Sequence, residues 1–482
     1  MSMKTYIFCI GGTGARVMKA LAMLLTTGVE INTDEIVPIF IDPDASAADL
    51  TRTISFLREY KYMNGQLHFS DDIKNRFFKT RISEMIPNYR LELSNTRNDR
   101  FRKYMGFDSL DIANQALAYM LFSEKNLDSD MEVGFKGNPN IGSVVLNQFA
   151  QSDAFNDFTN SFRPGDRIFI VSSIFGGTGA SGFPLLLKNL RGINMSLPNA
   201  GNIKDAPIGA ITVLPYFNLA QSQDGTNDID SSTFISKAKA ALEYYNKNIS
   251  GNNSLNAFYY LADDIYDTYE YSEGGTTQKN KAHIIELLAA LAIVDFCSMD
   301  NNVLQSSKGK ALNPIYKEFG AASGDEDMIF SSFYDDTRDI IQRPMTEFTL
   351  FCKFLNEHLN SSKSLKWAKG KRPFDGNFFN GNFFKSHLVK IKENYLQWLD
   401  EMASNHRGFA PFHLEEMKKD VFGFVAGVKP SKVMNYRSNY DLFDYCLCDL
   451  EPKVSNNLNT EERFIELFYR TVNKLVTDKK LA

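Results

Sequence analysis

The chain has 482 residues, 43% of them hydrophobic and 13% aromatic, which is ample for a large packed core and excludes a disordered chain. That length exceeds the usual single-domain range and predicts two or three domains. The formal net charge of −5, with acids and bases interspersed, lacks the basic footprint of a nucleic-acid binder, so no nucleic-acid partner is expected.

The start, MSMKTYIFCIGG, has no apolar run followed by a small-residue cleavage site, so no signal peptide is predicted. Residues 4–10 read as a buried strand. A glycine turn, Gly11-Gly12-Thr13-Gly14-Ala15, then leads into an apolar-periodic helix from about Ala15 to Thr26. IVPIFID is a second buried strand, ending in Asp42-Pro43-Asp44. Residues 46–130 turn charged, aromatic and mostly helical in period, as an insertion between two strands of a sheet would. GFKGNPNIG (134–142) is a loop leading into a helix.

DRIFIVSS is the next strand, and Gly176-Gly177-Thr178-Gly179-Ala180-Ser181 opens the helix after it. PIGAITVLPYF and NAFYYLADD read as further strands, with an amphipathic helix between them. Strands alternating with helices predict an α/β fold with a doubly wound, mostly parallel sheet. HIIELLAALAIVDFCSM (283–299) carries Glu286 and Asp295 and is too short to span a bilayer. It predicts a helix buried on all sides.

After about residue 305 the strand signal fades, and helices are predicted at 335–365, 386–404 and 460–479. The expected division is a nucleotide-binding domain over 1–305 and a mainly helical C-terminal domain over 306–482. FDGNFFNGNFF (374–384) is either a turn-rich corner whose phenylalanines fill a core or an exposed docking patch. Five scattered cysteines and six histidines without a helical pair predict a reduced, cytoplasmic protein with no structural metal. Trp367, Trp398 and Cys9 read as packing residues.

A strand that ends in glycines and opens a helix aims unpaired N–H groups at one point, where the helix dipole favours phosphate. The first loop alone fits a dinucleotide site with Asp42 on the ribose, but Val17 stands where the third glycine of that fingerprint belongs. Neither loop has the lysine and Ser/Thr of a P-loop. Two convergent loops suit the two ends of one polyphosphate. Arg16, just after the first loop, reads equally as a phosphate contact and as a solvent-facing residue.

SSIFGGTGASG after DRIFIV resembles the phosphate-clasping signature of the tubulin/FtsZ superfamily. The other loops resemble that family's in order: CIGGTGARV the first, FIDPDASA the second, GFKGNPNIG the third, ITVLPYF the start of the fifth. NKAHIIELLAALAIVDF resembles its central helix. The resemblance spans about residues 4–300.

It implies a guanine-nucleotide-binding protein of prokaryotic, cytoskeletal type that holds GTP or GDP with Mg²⁺ and hydrolyses GTP on self-assembly into oligomers or filaments. It places Gly11, Gly12, Thr13, Gly14, Ala15, Gly176, Gly177, Thr178, Gly179, Ala180 and Ser181 on the phosphates. Gly137 and Asn138 fall near the γ-phosphate and Asp42 near the ribose. Lys279, Asn280 and His283 are the side chains available to the base, and Asn280 is preferred for its amide.

Four departures stand out. Phe175 replaces a glycine and is expected to narrow the loop. No glutamate follows Pro215; Asn218, Leu219 and Ala220 stand there, with Asp224 or Asp228 as substitutes. Asp300 is the one acid after the central helix that is left to orient water in a neighbouring subunit. The family's β-rich second domain is replaced by helices, where a protein partner is possible. These departures favour an alternative: a non-hydrolysing, nucleotide-gated scaffold or sensor acting through its helical C-terminal domain.

Overall fold

The structure, a computed structural model, describes the chain except residues 1–2, 71–72, 95, 97–98, 132–134, 136–137, 220–230, 265–266, 270–274, 278–279, 319–326, 371, 415–419 and 433–438. Its centre is a seven-stranded sheet. The strands are β1 (Lys4–Ile10), β2 (Glu35–Ile41), β3 (Arg81–Ile82), β4 (Arg167–Ser173), β5 (Ile208–Val213), β6 (Ala257–Leu261) and β7 (Ile315–Glu318). They run in the order β7-β6-β5-β4-β1-β2-β3, and every pairing is parallel. β2, β4 and β5 are buried at every position, as the near-continuous apolar runs of a covered parallel sheet require.

The strand order reverses beside β1, which pairs with β2 on one side and β4 on the other. Cys9 stands level with both Phe40 and Val171, so the carboxyl ends of the three strands open on one crevice. In open α/β sheets that crevice is where ligands bind. The helices that frame it are α1 (Gly11–Thr27), α2 (Ala48–Gln66), α4 (Pro139–Leu146) and α6 (Gly177–Arg191). Between α2 and α4, the insertion holds β3, several short turns and the helix α3 (Ile112–Leu121); α5 (Asp153–Ser161) follows α4.

On the other side of the switch point, α7 (Ser231–Tyr245) leads to β6, and α8 (Ile284–Ser298) runs back across the sheet. Thirteen of the fifteen residues of α8 are buried, Glu286 included; Asp295 is half-buried and Ser298 exposed. C-terminal helices follow: α9 (Asp335–Glu357), α10 (Val389–Ala403), α11 (Tyr440–Leu450) and α12 (Thr460–Lys479). Asn459 caps α12 by accepting from the Glu462 N–H, and Glu462 accepts from the Asn459 N–H in return.

Two strands have no counterpart in the sequence pattern. β3 has two residues, and β7 is an edge strand whose positions alternate between half-buried and exposed. The buried apolar residues form one connected cluster from Tyr6 to Leu481. Phe77, from the insertion, meets Phe348 of α9 and Tyr469 of α12 edge-on at 5.0 and 5.1 Å.

The Phe/Asn-rich corner is core. Phe374, Phe378, Phe383 and Phe384 are buried, and Phe378 lies 5.0 Å from Phe464. Trp367, Trp398 and Cys9 are buried too, and burial holds the Cys9 thiol far above its ordinary range. Among the described residues no helix is long and apolar enough to cross a membrane.

Candidate functional site

α1 and α6 both begin on glycine, α1 directly after β1 and α6 after a three-residue link from β4. Their N-cap residues, Ile10 and Gly176, are extended, and neither gives a side-chain cap. The first N–H groups of both helices therefore lack intrahelical and side-chain acceptors. The dipoles of the two helices place partial positive charge at the same crevice.

The two loops touch. Gly11 has φ +69°, and a Cβ there would lie 3.5 Å from the Thr178 Cβ and 3.8 Å from the Gly179 nitrogen. Other glycines are needed because each helix starts by folding back on its own strand. A Cβ at Gly14 would sit 2.6 Å from the Cys9 carbonyl carbon, and one at Gly179 would sit 2.5 Å from the Ser173 oxygen. Gly12 is different: the nearest atom to its Cβ position is Arg16 Nη1, at 3.5 Å. Nothing in the packing within the chain demands glycine at position 12.

Hydroxyls line both loops. Thr13 is buried and its Oγ1 accepts from Arg16 Nη2 at 3.3 Å. Thr178 is half-buried between Gly177 and Gly179. Ser181 is buried, and its hydroxyl donates to the Gly177 carbonyl at 2.6 Å, one turn back. Ala15 and Ala180 continue the two helices.

Asn138 stands at the start of α4 and donates from Nδ2 to Asn126 Oδ1 at 2.8 Å. Gly142 of α4 packs so closely on α6 that an added Cβ would meet Ser181. Gly137, Lys279, Asp224 and Asp228 lie outside the described residues, as does Ala220.

Asp42 follows β2 and accepts the Asp44 N–H at 3.0 Å. Burial pushes its carboxyl up to about 7, against the partial relief of that hydrogen bond. It borders a cavity of about 400 Å³ with Arg90, Ser94 and Thr96. Asn280 is half-buried, and its carbonyl accepts from Arg52 Nη2 at 2.9 Å. The His283 ring caps α8, with Nδ1 accepting the Ile285 N–H at 3.1 Å. Nε2 of that ring lies 3.6 Å from Asp267 Oδ2. His283 lowers the pKa of the Asp267 carboxyl.

Phe175 does not narrow the loop: it is buried edge-on to Tyr216 and Phe217, at 6.2 and 5.5 Å. Arg16 is neither at the surface nor free. Nε pairs with Glu286 Oε1 at 2.5 Å, Nη1 with Asp49 Oδ2 at 2.8 Å, and Nη2 donates to Tyr216 Oη at 3.0 Å. Burial opposes its charge, but Tyr216, Glu286 and Asp49 outweigh burial and hold the guanidinium ionised. The cluster reaches α10 through Arg52, which pairs with Asp49 at 2.6 Å and Glu401 at 3.6 Å. Only the position of Arg16 was legible in the sequence; its partners lie 33, 200 and 270 residues away.

Asp300 is exposed in the turn after α8, and Oδ1 accepts the Asn302 N–H at 2.7 Å. That turn is at the far end of the sheet. Arg167, the first residue of β4, binds the carbonyls of Phe296, Cys297 and Met299. The helix between His283 and this turn has 15 residues, about 22 Å at 1.5 Å each.

No family model and no curated relative matches the chain. Among solved structures it is similar to CetZ2 from Haloferax volcanii, described as a GTPγS-bound protofilament. That alignment has 14% identity over 62% of this chain and 61% of that one, with a TM-score of 0.32. CetZ1 from the same organism, a GDP-bound monomer, aligns at 14% identity over 63% and 65%, with a TM-score of 0.33. TubZ of Bacillus thuringiensis serovar israelensis, a GTPγS-form protofilament, aligns at 14% over 83% and 82%, with a TM-score of 0.28. The chain spans less than two thirds of the length of either CetZ.

Proposed function

We propose that the crevice between α1 and α6 binds a guanine nucleotide, GTP or GDP, and that the chain is a distant tubulin/FtsZ-like protein that hydrolyses GTP where two subunits meet. The observation that carries this is the contact between Gly11 and Thr178, which joins two uncapped, glycine-opened helix starts at the switch point. Two such termini offer one polyphosphate a set of backbone donors from both sides. Gly12 gives the phosphates access to the backbone, and Thr13 and Thr178 add hydroxyls.

In this reading Gly137 and Asn138 of the third loop meet the γ-phosphate, Asp42 meets the ribose, and the Asn280 amide meets the base. Mg²⁺ would sit on the phosphates rather than in a protein cage, because the described residues hold no cluster of three or more acidic, His or Cys ligands. Bound there, it neutralises charge on the phosphate oxygens. Arg16, through its pairs with Glu286 and Asp49, fixes the first loop on α2 and α8.

Asp300 supports hydrolysis between subunits, since some 22 Å of helix separates it from its own crevice. A second copy stacked end to end would bring Asp300 to the phosphates as the residue that orients water. The protein then exists as a homo-oligomer or filament. One observation favours the non-hydrolysing scaffold instead: the Asp300 carboxylate is already engaged by the Asn302 N–H. The ties from Arg52 and Ala282 to Glu401 would then carry the nucleotide state to α10 and a partner.

Binding of a fluorescent GTP analogue by the wild type and by Gly12→Val tests the site. Tight binding by the wild type and none by the variant is expected. Equal binding by both, or none by the wild type, contradicts it.

A further inference from the structure

Exposed large hydrophobic side chains are concentrated on α3, in the insertion. In this ten-residue helix Ile112 is 86% exposed, Leu117 51%, Met120 84% and Leu121 59%, with Tyr119 beside them. Ala118 is its one buried residue. The helix carries no charged side chain. A patch of this kind on a folded chain marks a contact surface.

Its surroundings are acidic. Asp108 and Asp111 precede the helix and Glu124 follows it, all exposed. Of the cations nearby, Arg102 and Lys103 are paired with Asp128 and Asp99, and Lys125 directly follows Glu124, so the acidic excess lies mainly at the Asp108–Asp111 end.

A complementary surface lies along α6. A groove of about 670 Å³ runs from Ser181 to Gly192, facing the segment from Tyr244 to Ser254. Its floor is apolar, made by Pro184, Leu185, Leu187 and Ile249. Its rim carries Lys188, Lys308 and Lys310, all exposed and without an ion pair among the described residues. Asp205, beside the rim, accepts the Gly309 N–H at 2.6 Å. No residue of α3 lines the groove within the chain.

The lengths match as well. Ten helical residues span about 15 Å, and the stretch of α6 from Ser181 to Gly192 spans about 16 Å. α4 stands between the two surfaces: Ser143 lines the groove, and the Asn138 side chain bonds Asn126 of the insertion. Two copies related by a two-fold axis seat each helix in the other's groove, which doubles the buried area towards the roughly 800 Å² per partner of a stable interface.

We propose that a second copy of this chain is the occupant: α3 of each protomer docks into the α6 groove of its partner, apolar face to apolar floor and acidic end to the lysine rim. This contact does not use Asp300 and meets the second glycine loop only at the buried Ser181, so its test is run without nucleotide.

Sedimentation velocity of the full chain without nucleotide, over a dilution series, tests it with Met120→Asp and Lys310→Glu. The wild type is expected to dimerise. Each variant, with unchanged thermal unfolding, should raise the dissociation constant by about tenfold or more. A mixture of Met120→Cys and Lys188→Cys should form an interchain disulfide under mild oxidation that neither forms alone. A wild type that stays monomeric throughout, or a dimer unaffected by Met120→Asp, overturns the proposal. A monomer that floats with lipid vesicles through Met120 gives the helix to a membrane and equally overturns it.

Discussion

Arg16 Nε and Glu286 Oε1 lie 2.5 Å apart in the interior, although 270 residues separate them in the chain. The pair fastens the start of α1, and with it the first glycine loop, to the start of α8. Asp49 completes it from α2. One guanidinium thus ties three elements together.

Removing Glu286 strands part of a buried cation. Breaking a buried pair typically costs 3–5 kcal/mol, and the remaining Asp49 keeps Glu286→Gln near the lower end, about 3 kcal/mol. Arg16→Met combined with Glu286→Leu should cost clearly less than the sum of the two single changes. Urea unfolding of the three variants measures this. Strict additivity would show that the two residues do not interact.

The glycines divide into two kinds. Gly14→Val drives a side chain into the Cys9 backbone and should lose about 3 kcal/mol or more. Gly12→Val meets only the end of Arg16 and should unfold within about 1 kcal/mol of the wild type. Thermal unfolding separates the pair. Equal destabilisation would mean that the first loop is not the open cradle described above.

Asp42 gives a pH signature. Burial raises its carboxyl to about 7, above the unfolded value, so the native state binds the extra proton. Its contribution to stability is present at low pH and is lost as pH rises, between about pH 4 and about pH 7, by up to about 4 kcal/mol. Asp42→Asn removes that slope. Unfolding free energies of both proteins at pH 5 and pH 8 decide the matter: the wild type minus variant difference must fall at the higher pH.

Asp300→Asn, in an exposed turn, should leave stability and nucleotide binding unchanged. Turnover should collapse. Mixed with Gly12→Val, which keeps Asp300 but lacks a working loop, it should regain activity, because each variant supplies what the other lost. Failure of the mixture to exceed either variant alone would place catalysis within one chain.

The sheet was legible because β1, β2, β4, β5 and β6 are mostly apolar runs bounded by glycine, proline or aspartate: Gly11, Asp42-Pro43, Pro164-Gly165, Pro207 and Asp263. α12 runs where the helical pattern placed it, over 460–479. β7 was not: as an edge strand it alternates like a surface loop, and only its pairing with β6 defines it. The glycine loops could be read, since a strand-glycine-helix junction is local. The burial of Arg16, the cap made by His283 and the packing of Phe175 on Tyr216 could not. Each depends on a partner brought by the sheet from a distant part of the chain.

The most direct measurement is GTP turnover per subunit across a range of protein concentrations, with light scattering recorded alongside. A catalytic site completed by a second copy predicts that turnover per subunit and scattering rise together, and that both vanish in Gly12→Val. Turnover per subunit that stays constant with concentration, or a wild type that never binds GTP, would contradict an assembling GTPase.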